Sequence, residues 1–182
     1  MENLVIAKKF FNEWIIKETI ESNFNFGIFK KTESPDLQNK KMGIEITSAN
    51  PKMLYFNGNF NDKVKRKEIA ESFSRKEHFE LVKTSFIKKI NKLNSKSANY
   101  KNLPAYGIFI ETLFDSENIT EDEIKTLLNC QIKAKRKYSF LILGDLNNDN
   151  LTFIDFKKDV SVTIPWDRDK HKRKIKKLFK DI

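Results

Sequence analysis

The stretch ESPDLQNKKMGIEIT, residues 33–47, decides how the rest of the chain is read. A short apolar arm, a polar turn and a second apolar arm form the usual pattern of a β-hairpin. Residues 38–41 make the turn and residues 42–47 the second arm. Side chains alternate along a strand, so Ile44 and Ile46 point to one face and Glu45 and Thr47 to the other. If Leu37 pairs with Met42, Asp36 lies diagonal to Glu45, roughly 7–8 Å away between backbones. No obvious cation neutralises this pair, and the two carboxylates are placed to share one divalent ion. Acidic oxygen ligands with positions left open to water and phosphate suit Mg²⁺ at phosphoryl-transfer sites.

Outward from the hairpin, the expected elements follow from apolar periodicity. A first helix is expected over about residues 3–21, with Leu4, Ala7, Phe11, Trp14 and Ile15 as its buried stripe. Glu18 continues the series of Ala7, Phe11 and Trp14, while Glu13 points away. Glu18 therefore either bends out to water or serves as a third acid aimed at the cluster. Residues 24–31 alternate like a strand. Residues 48–75 are polar and irregular, with Asn50-Pro51 and Asn57-Gly58 as turn signals and a helix expected over 62–72.

A strong helix is expected over 78–94, buried through Val82, Phe86, Ile90 and Leu93. Lys89 projects within roughly 20–60° of Val82, Phe86 and Leu93, on the apolar side. Lys88 and Lys92 lie further toward solvent, and Lys83, flanked by Ile87 and Ile90, is the main rival. A lysine so placed either snorkels to the rim or reaches a carboxylate or a phosphate. Residues 105–112 read as a buried parallel strand. Thr120 and Glu123 form a capping box for a helix running to about residue 137. Residues 139–144 form another buried strand, and 151–156 with 160–164 a hairpin before Pro165-Trp166 and a basic final helix.

The whole is an α/β chain of 182 residues, sized for one domain with a substantial core. Its 16 Phe and few Gly and Pro argue for a packed protein against a disordered one. Cys130 is the single cysteine, which excludes an internal disulfide framework and a cysteine zinc site. It is expected as a small buried residue on a helix. No stretch has a signal-peptide layout or approaches ~18 uninterrupted apolar residues, so a cytoplasmic protein without membrane contact is expected.

The net charge of +10 and pI near 9.5 point to a polyanionic partner, most simply nucleic acid. A lysine-rich background composition is the bland alternative, but the charge is clustered. Lys63, Lys65, Arg66 and Lys67 form one patch; Lys172, Arg173, Lys174, Lys176 and Lys177 form another on the last helix. There Ile175, Leu178, Phe179 and Ile182 recur at helical spacing, giving a docked face and a basic face suited to phosphates.

The order helix, three strands, helix, strand, with Pro35-Asp36 on the second strand and Glu45-Ile46-Thr47 on the third, resembles the PD-(D/E)XK nuclease superfamily. The nine-residue step from Asp36 to Glu45 carries the likeness, supported by FIKKINKL at 86–93, Tyr100 and AYGIFI at 105–110. The resemblance covers about the first two-thirds of the chain. It implies a restriction-endonuclease-like αβββαβ core with a mixed central sheet, over about residues 3–112. Residues 113–182 would then extend that single domain, completing the sheet and adding the basic C-terminal helix. Thr47 stands where the family carries its strand lysine. The chain is thus similar to branches in which a lysine of the following helix, here Lys89, takes over.

The resemblance implies metal-dependent phosphodiester hydrolysis of nucleic acid, DNA above RNA. Asp36, Glu45 and the Ile46 carbonyl would hold Mg²⁺ or Mn²⁺, Lys89 would assist the chemistry, and Glu18 would complete the acids. A homodimer or a larger nuclease complex is compatible. Two rival readings stay open: an inactive nucleic-acid-binding module of the same fold, and a protein-interaction subunit. Only His78 and His171 are present, in charged helical surroundings, which disfavours a histidine nuclease. No phosphate-binding glycine loop occurs.

Overall fold

The computed structural model describes residues 2–95, 100 and 102–180, and side chains for all of these except residues 2–10 and 180. The expectations for the Leu4, Ala7 and Ile182 side chains lie outside this set. The protein is α/β. Among the described residues, five α-helices surround a seven-stranded mixed sheet whose strands follow one another across the sheet in chain order. The helices are α1 (Glu2–Asn23), α2 (Lys63–Glu71), α3 (Arg75–Asn94), α4 (Glu121–Cys130) and α5 (Arg168–Lys180). The strands are β1 (Lys30–Lys31), β2 (Leu37–Gln38), β3 (Met42–Ala49), β4 (Ala105–Thr112), β5 (Phe140–Asp145), β6 (Asn150–Asp155) and β7 (Val160–Pro165).

The centre of the sheet is parallel, β3 to β4 to β5, and both flanks are antiparallel. Parallel strands are covered on both faces and therefore read as continuous apolar runs; every residue of β4 after Ala105 and all of β5 are buried. One face packs on α3 and α4 through Phe86, Leu93, Ile108, Ile110, Leu127 and Leu143. The other packs on α1 and α2 through Ile16, Ile20, Ile69, Phe109, Ile142 and Trp166.

Local chemistry sets the helix ends. Ser74 and Glu77 form a reciprocal capping box, so α3 begins before the expected residue 78. The helix capped by Thr120 ends at Cys130, short of residue 137. There the Gln131 amide pairs with both the N–H and the carbonyl of Tyr138, turning the chain back toward β5. Cys130 is half-buried, not enclosed. The strand expected over 24–31 shrinks to Lys30–Lys31. Phe24 and Phe26 instead stack on each other and pack at a tilt against Phe140 and Phe153. In α5, Ile175 is buried and Phe179 packs edge-on against Trp14 and Phe11, but Leu178 is exposed. Among the described residues no helix is long and apolar enough to cross a membrane.

Candidate active site

The hairpin forms, in a register shifted from the expected one. Leu37 faces Ile44 and Gln38 faces Gly43. Asn39 closes the turn: its Oδ1 accepts from Lys41 N and Met42 N. Asp36, expected on the second strand, stands just before β2, and pairing Leu37 with Ile44, not Met42, brings it beside Glu45 and Ile46. Gly43 permits this, because a Cβ there would lie 2.3 Å from Pro35 Cγ and 2.9 Å from Leu103 Cδ1. The Pro35 ring lies against the bare Gly43 backbone and fixes the residue that follows it, Asp36.

Asp36 Oδ2 accepts the Ile46 backbone N–H at 2.6 Å. In an extended strand the N–H and C=O of one residue point to the same side, which is why paired residues exchange both bonds. The Ile46 carbonyl is thereby directed to the side of β3 on which Asp36 lies.

Glu45 sits on the face of β3 opposite Ile44 and is wholly buried, under α3. The expectation of a pair without cations is wrong. Lys89 Nζ lies 2.5 Å from Glu45 Oε2 and 3.7 Å from Asp36 Oδ2. Lys92, expected toward solvent, also reaches Glu45 Oε2 at 3.3 Å. One helical step of three residues puts both amines on the same side of α3. Tyr100, whose hydroxyl donates to Glu45 Oε1, closes the far side. The Tyr138 hydroxyl donates to the Lys89 carbonyl at 3.1 Å and steadies that turn of α3. Lys83 bonds Glu80 instead and is not part of the site.

The electrostatics separate the two acids. Burial, and next the charge of Glu45, push the Asp36 carboxyl above the ordinary aspartate range. Burial also pushes Glu45 upward, but Lys89, Tyr100 and Lys92 together outweigh it and hold Glu45 below the ordinary glutamate range. Burial and the bond to Glu45 keep the Tyr100 hydroxyl protonated far above its usual range. The result is a firmly ionised glutamate beside an aspartate that gains a charge less readily.

Glu18 does not join this group. It faces α5, where it bonds Lys174 Nζ at 2.5 Å and Ser22 at 2.9 Å. Among the described residues no three His, Cys, Asp or Glu side chains gather in a metal-sized cluster. The histidines are buried on separate elements: His78 lies 2.9 Å from the Ala70 carbonyl oxygen and His171 3.5 Å from Asn23 Nδ2.

The basic patches divide. Lys65 and Lys67 pair with Glu68 and Glu71 of their own helix. Lys63 and Arg66 turn instead toward a cleft, as does Lys172. Arg173, Lys176 and Lys177 are exposed on α5, while Lys174 is engaged by Glu18.

A second buried polar group went unseen in the sequence. Glu111, at the end of β4, accepts from Asn12 Nδ2 at 3.2 Å and lies 3.6 Å from Arg168 Nε. Burial raises its carboxyl above the usual range. It shares the face of β4 that carries Phe109, opposite the Glu45 face. Comparison with protein-family models, with curated proteins and with solved structures found no match.

Proposed function

We propose that the chain is a metal-dependent nuclease with a restriction-endonuclease-like core, hydrolysing phosphodiester bonds of nucleic acid, DNA in the first instance. One observation carries the reading: the Lys89 ammonium lies between the carboxylates of Asp36 and Glu45. Two acids and a lysine converging at a strand hairpin are what phosphoryl transfer needs for cation binding and charge stabilisation. The element order α1, β1, β2, β3, α2, α3, β4 is compatible with that core if α2 is taken as an insertion before α3.

The donor set suits Mg²⁺ or Mn²⁺: one carboxylate just before β2, one on β3, and the Ile46 carbonyl, oxygen throughout. The metal, when bound, would polarise the scissile phosphate and acidify an attacking water. Asp36 is held in place for this by the Ile46 N–H, and Glu45 by Lys92 and Tyr100. Lys89 places its amine toward the reacting phosphate and orients the water. Thr47 leaves that duty open on β3, and α3 supplies it from the adjoining turn.

One observation favours the inactive binder. Both Glu45 oxygens already have partners, so the cluster would also serve as a buried ion-pair group with no bound metal. Labelled duplex DNA incubated with Mg²⁺ and either wild type or Asp36→Ala separates the readings. The enzyme cleaves only as wild type while both proteins bind DNA alike. The inactive module binds in both forms and cleaves in neither.

A further inference from the structure

On the opposite face of the sheet from Glu45, a cleft of about 380 Å³ opens between α2, α5 and the β5–β6 turn. Four cations line it: Lys63, Arg66, Arg168 and Lys172. Three acids line it as well, and one of them pairs with a cleft cation. Asp149 bonds Lys63 at 3.0 Å, and Asp167 caps α5 through Lys170 N at 2.9 Å; Asp169 is exposed in the first turn of α5. Glu111, the buried neighbour of Arg168, resists ionisation in this setting.

Lys63 is held by Asp149, whereas the other three cations donate to neutral groups. Arg66 donates to the carbonyls of Leu146 and Phe60, at 3.2 and 2.9 Å. Arg168 donates to Asn12 Oδ1 at 2.6 Å, and Lys172 to Asn61 Oδ1 at 3.2 Å. Carbonyl and amide oxygens orient these groups without cancelling their charge. Crowding has a cost: burial, then Arg168, Lys176 and Arg66 nearby, press the Lys172 amine below its usual range, with Asp169 opposing. An anion entering the cleft would relieve that repulsion.

Beside the cleft stands an aromatic stack. The Arg168 guanidinium lies 4.9 Å above the Phe60 ring, and Tyr55 stacks on Phe60 at 5.8 Å and 19°. Tyr55 is 49 % exposed, and its neighbours Met53 and Phe56 are also exposed on the 52–61 segment. Aromatic rings next to a cationic groove form the usual pairing for unpaired bases and their backbone.

We propose that this cleft is a phosphate subsite for a single nucleic-acid strand. Arg66, Arg168, Lys63 and Lys172 take the backbone phosphate, and a base stacks on Tyr55. The site does not need Asp36 and Glu45 to be catalytic, so it stands or falls apart from hydrolysis.

Fluorescence anisotropy in EDTA tests it, using the full chain and a labelled oligothymidine of about 20 nucleotides. Each phosphate contact to a single strand contributes about 0.7 to the slope of log affinity against log salt. The combined Lys63→Ala and Lys172→Ala variant is expected to weaken binding about tenfold or more and lower that slope by about 1.4. Tyr55→Ala is expected to weaken binding without changing the slope. Lys125→Ala on α4, where the lysine pairs with Glu121, is expected to bind as wild type. If the double variant melts early, Lys172→Gln alone carries the test, with a slope change of about 0.7. An unchanged slope, or an equal loss in Lys125→Ala, overturns the proposal. So does displacement by a mononucleotide as strong, per phosphate, as by the strand, which would make the cleft a free-nucleotide site.

Discussion

Lys89 and Glu45 meet at 2.5 Å, a lysine of the fourth turn of α3 against a wholly buried glutamate of β3. The contact joins the helix to the sheet and supplies positive charge where β3 offers only Thr47. It is also the point at which stability and the proposed chemistry rest on the same atoms.

Replacing Lys89 by Met leaves Glu45 with Lys92 and Tyr100 as its remaining partners. Losing one partner of a buried ion pair costs about 3 kcal/mol, since the other charge stays out of water. Urea unfolding at neutral pH should show that loss, and it should shrink toward low pH as Glu45 protonates. A fall below about 0.5 kcal/mol would mean that the pair is solvated.

Asp36 and Glu45 should give opposite pH signatures. Asp36 is raised in the fold, so its neutral form is favoured there. Its contribution is full below the ordinary aspartate range and is lost as pH rises through its raised folded value. Asp36→Asn should therefore melt higher than wild type at neutral pH without metal, and match it in acid. Glu45 is lowered, so its contribution is full above the ordinary glutamate range and is lost as pH falls through its folded value. Melting curves across pH 3–8 check both signs. Added Mg²⁺ should raise the melting temperature of wild type but not of Asp36→Asn.

Gly43→Ala should damage the site from outside it. The new methyl would stand 2.3 Å from Pro35 Cγ, and overpacking of this kind costs about 1–3 kcal/mol. Relief moves Pro35, and with it Asp36. Calorimetric Mn²⁺ affinity should drop more than tenfold in a variant that still folds. Unchanged affinity would show that Pro35 does not position Asp36.

Tyr100→Phe removes a hydroxyl that donates to Glu45 Oε1. A hydrogen bond to a charged group contributes about 1.5–3 kcal/mol. Without it Glu45 holds its proton to higher pH, so the acid limb of any pH–rate profile should move upward. An unmoved limb would assign that limb to Asp36 alone.

What the sequence made legible was set by the range of the interactions. β4 and β5 are continuous apolar runs, and the turn at Asn39 is local, so both could be read directly. The strand register could not: it depends on Pro35 meeting Gly43 and Leu103, contacts that alternation does not encode. Lys89 was readable from its place on the buried stripe of α3. Lys92 and Tyr100 were not read as partners of Glu45, because helical angles measure direction and not the reach of a long side chain. Glu18 lay in an apolar stripe, but its neighbours there, Phe11 and Trp14, pack against Phe179 of α5, a distant helix whose docking the first helix cannot announce. The Glu111–Arg168 contact spans two elements on one face of the sheet, and no local pattern marks it.

The most direct test is the nicking of supercoiled plasmid at saturating Mg²⁺ by wild type, Asp36→Ala and Lys89→Ala in parallel. Wild type should nick only with metal, Asp36→Ala not at all, and Lys89→Ala at a rate about 10²–10³ lower, the usual cost of removing one charge-stabilising donor. Nicking by Lys89→Ala at the wild-type rate would contradict the role given to the α3 lysine. No nicking by wild type with Mg²⁺ or Mn²⁺ would contradict the enzyme itself.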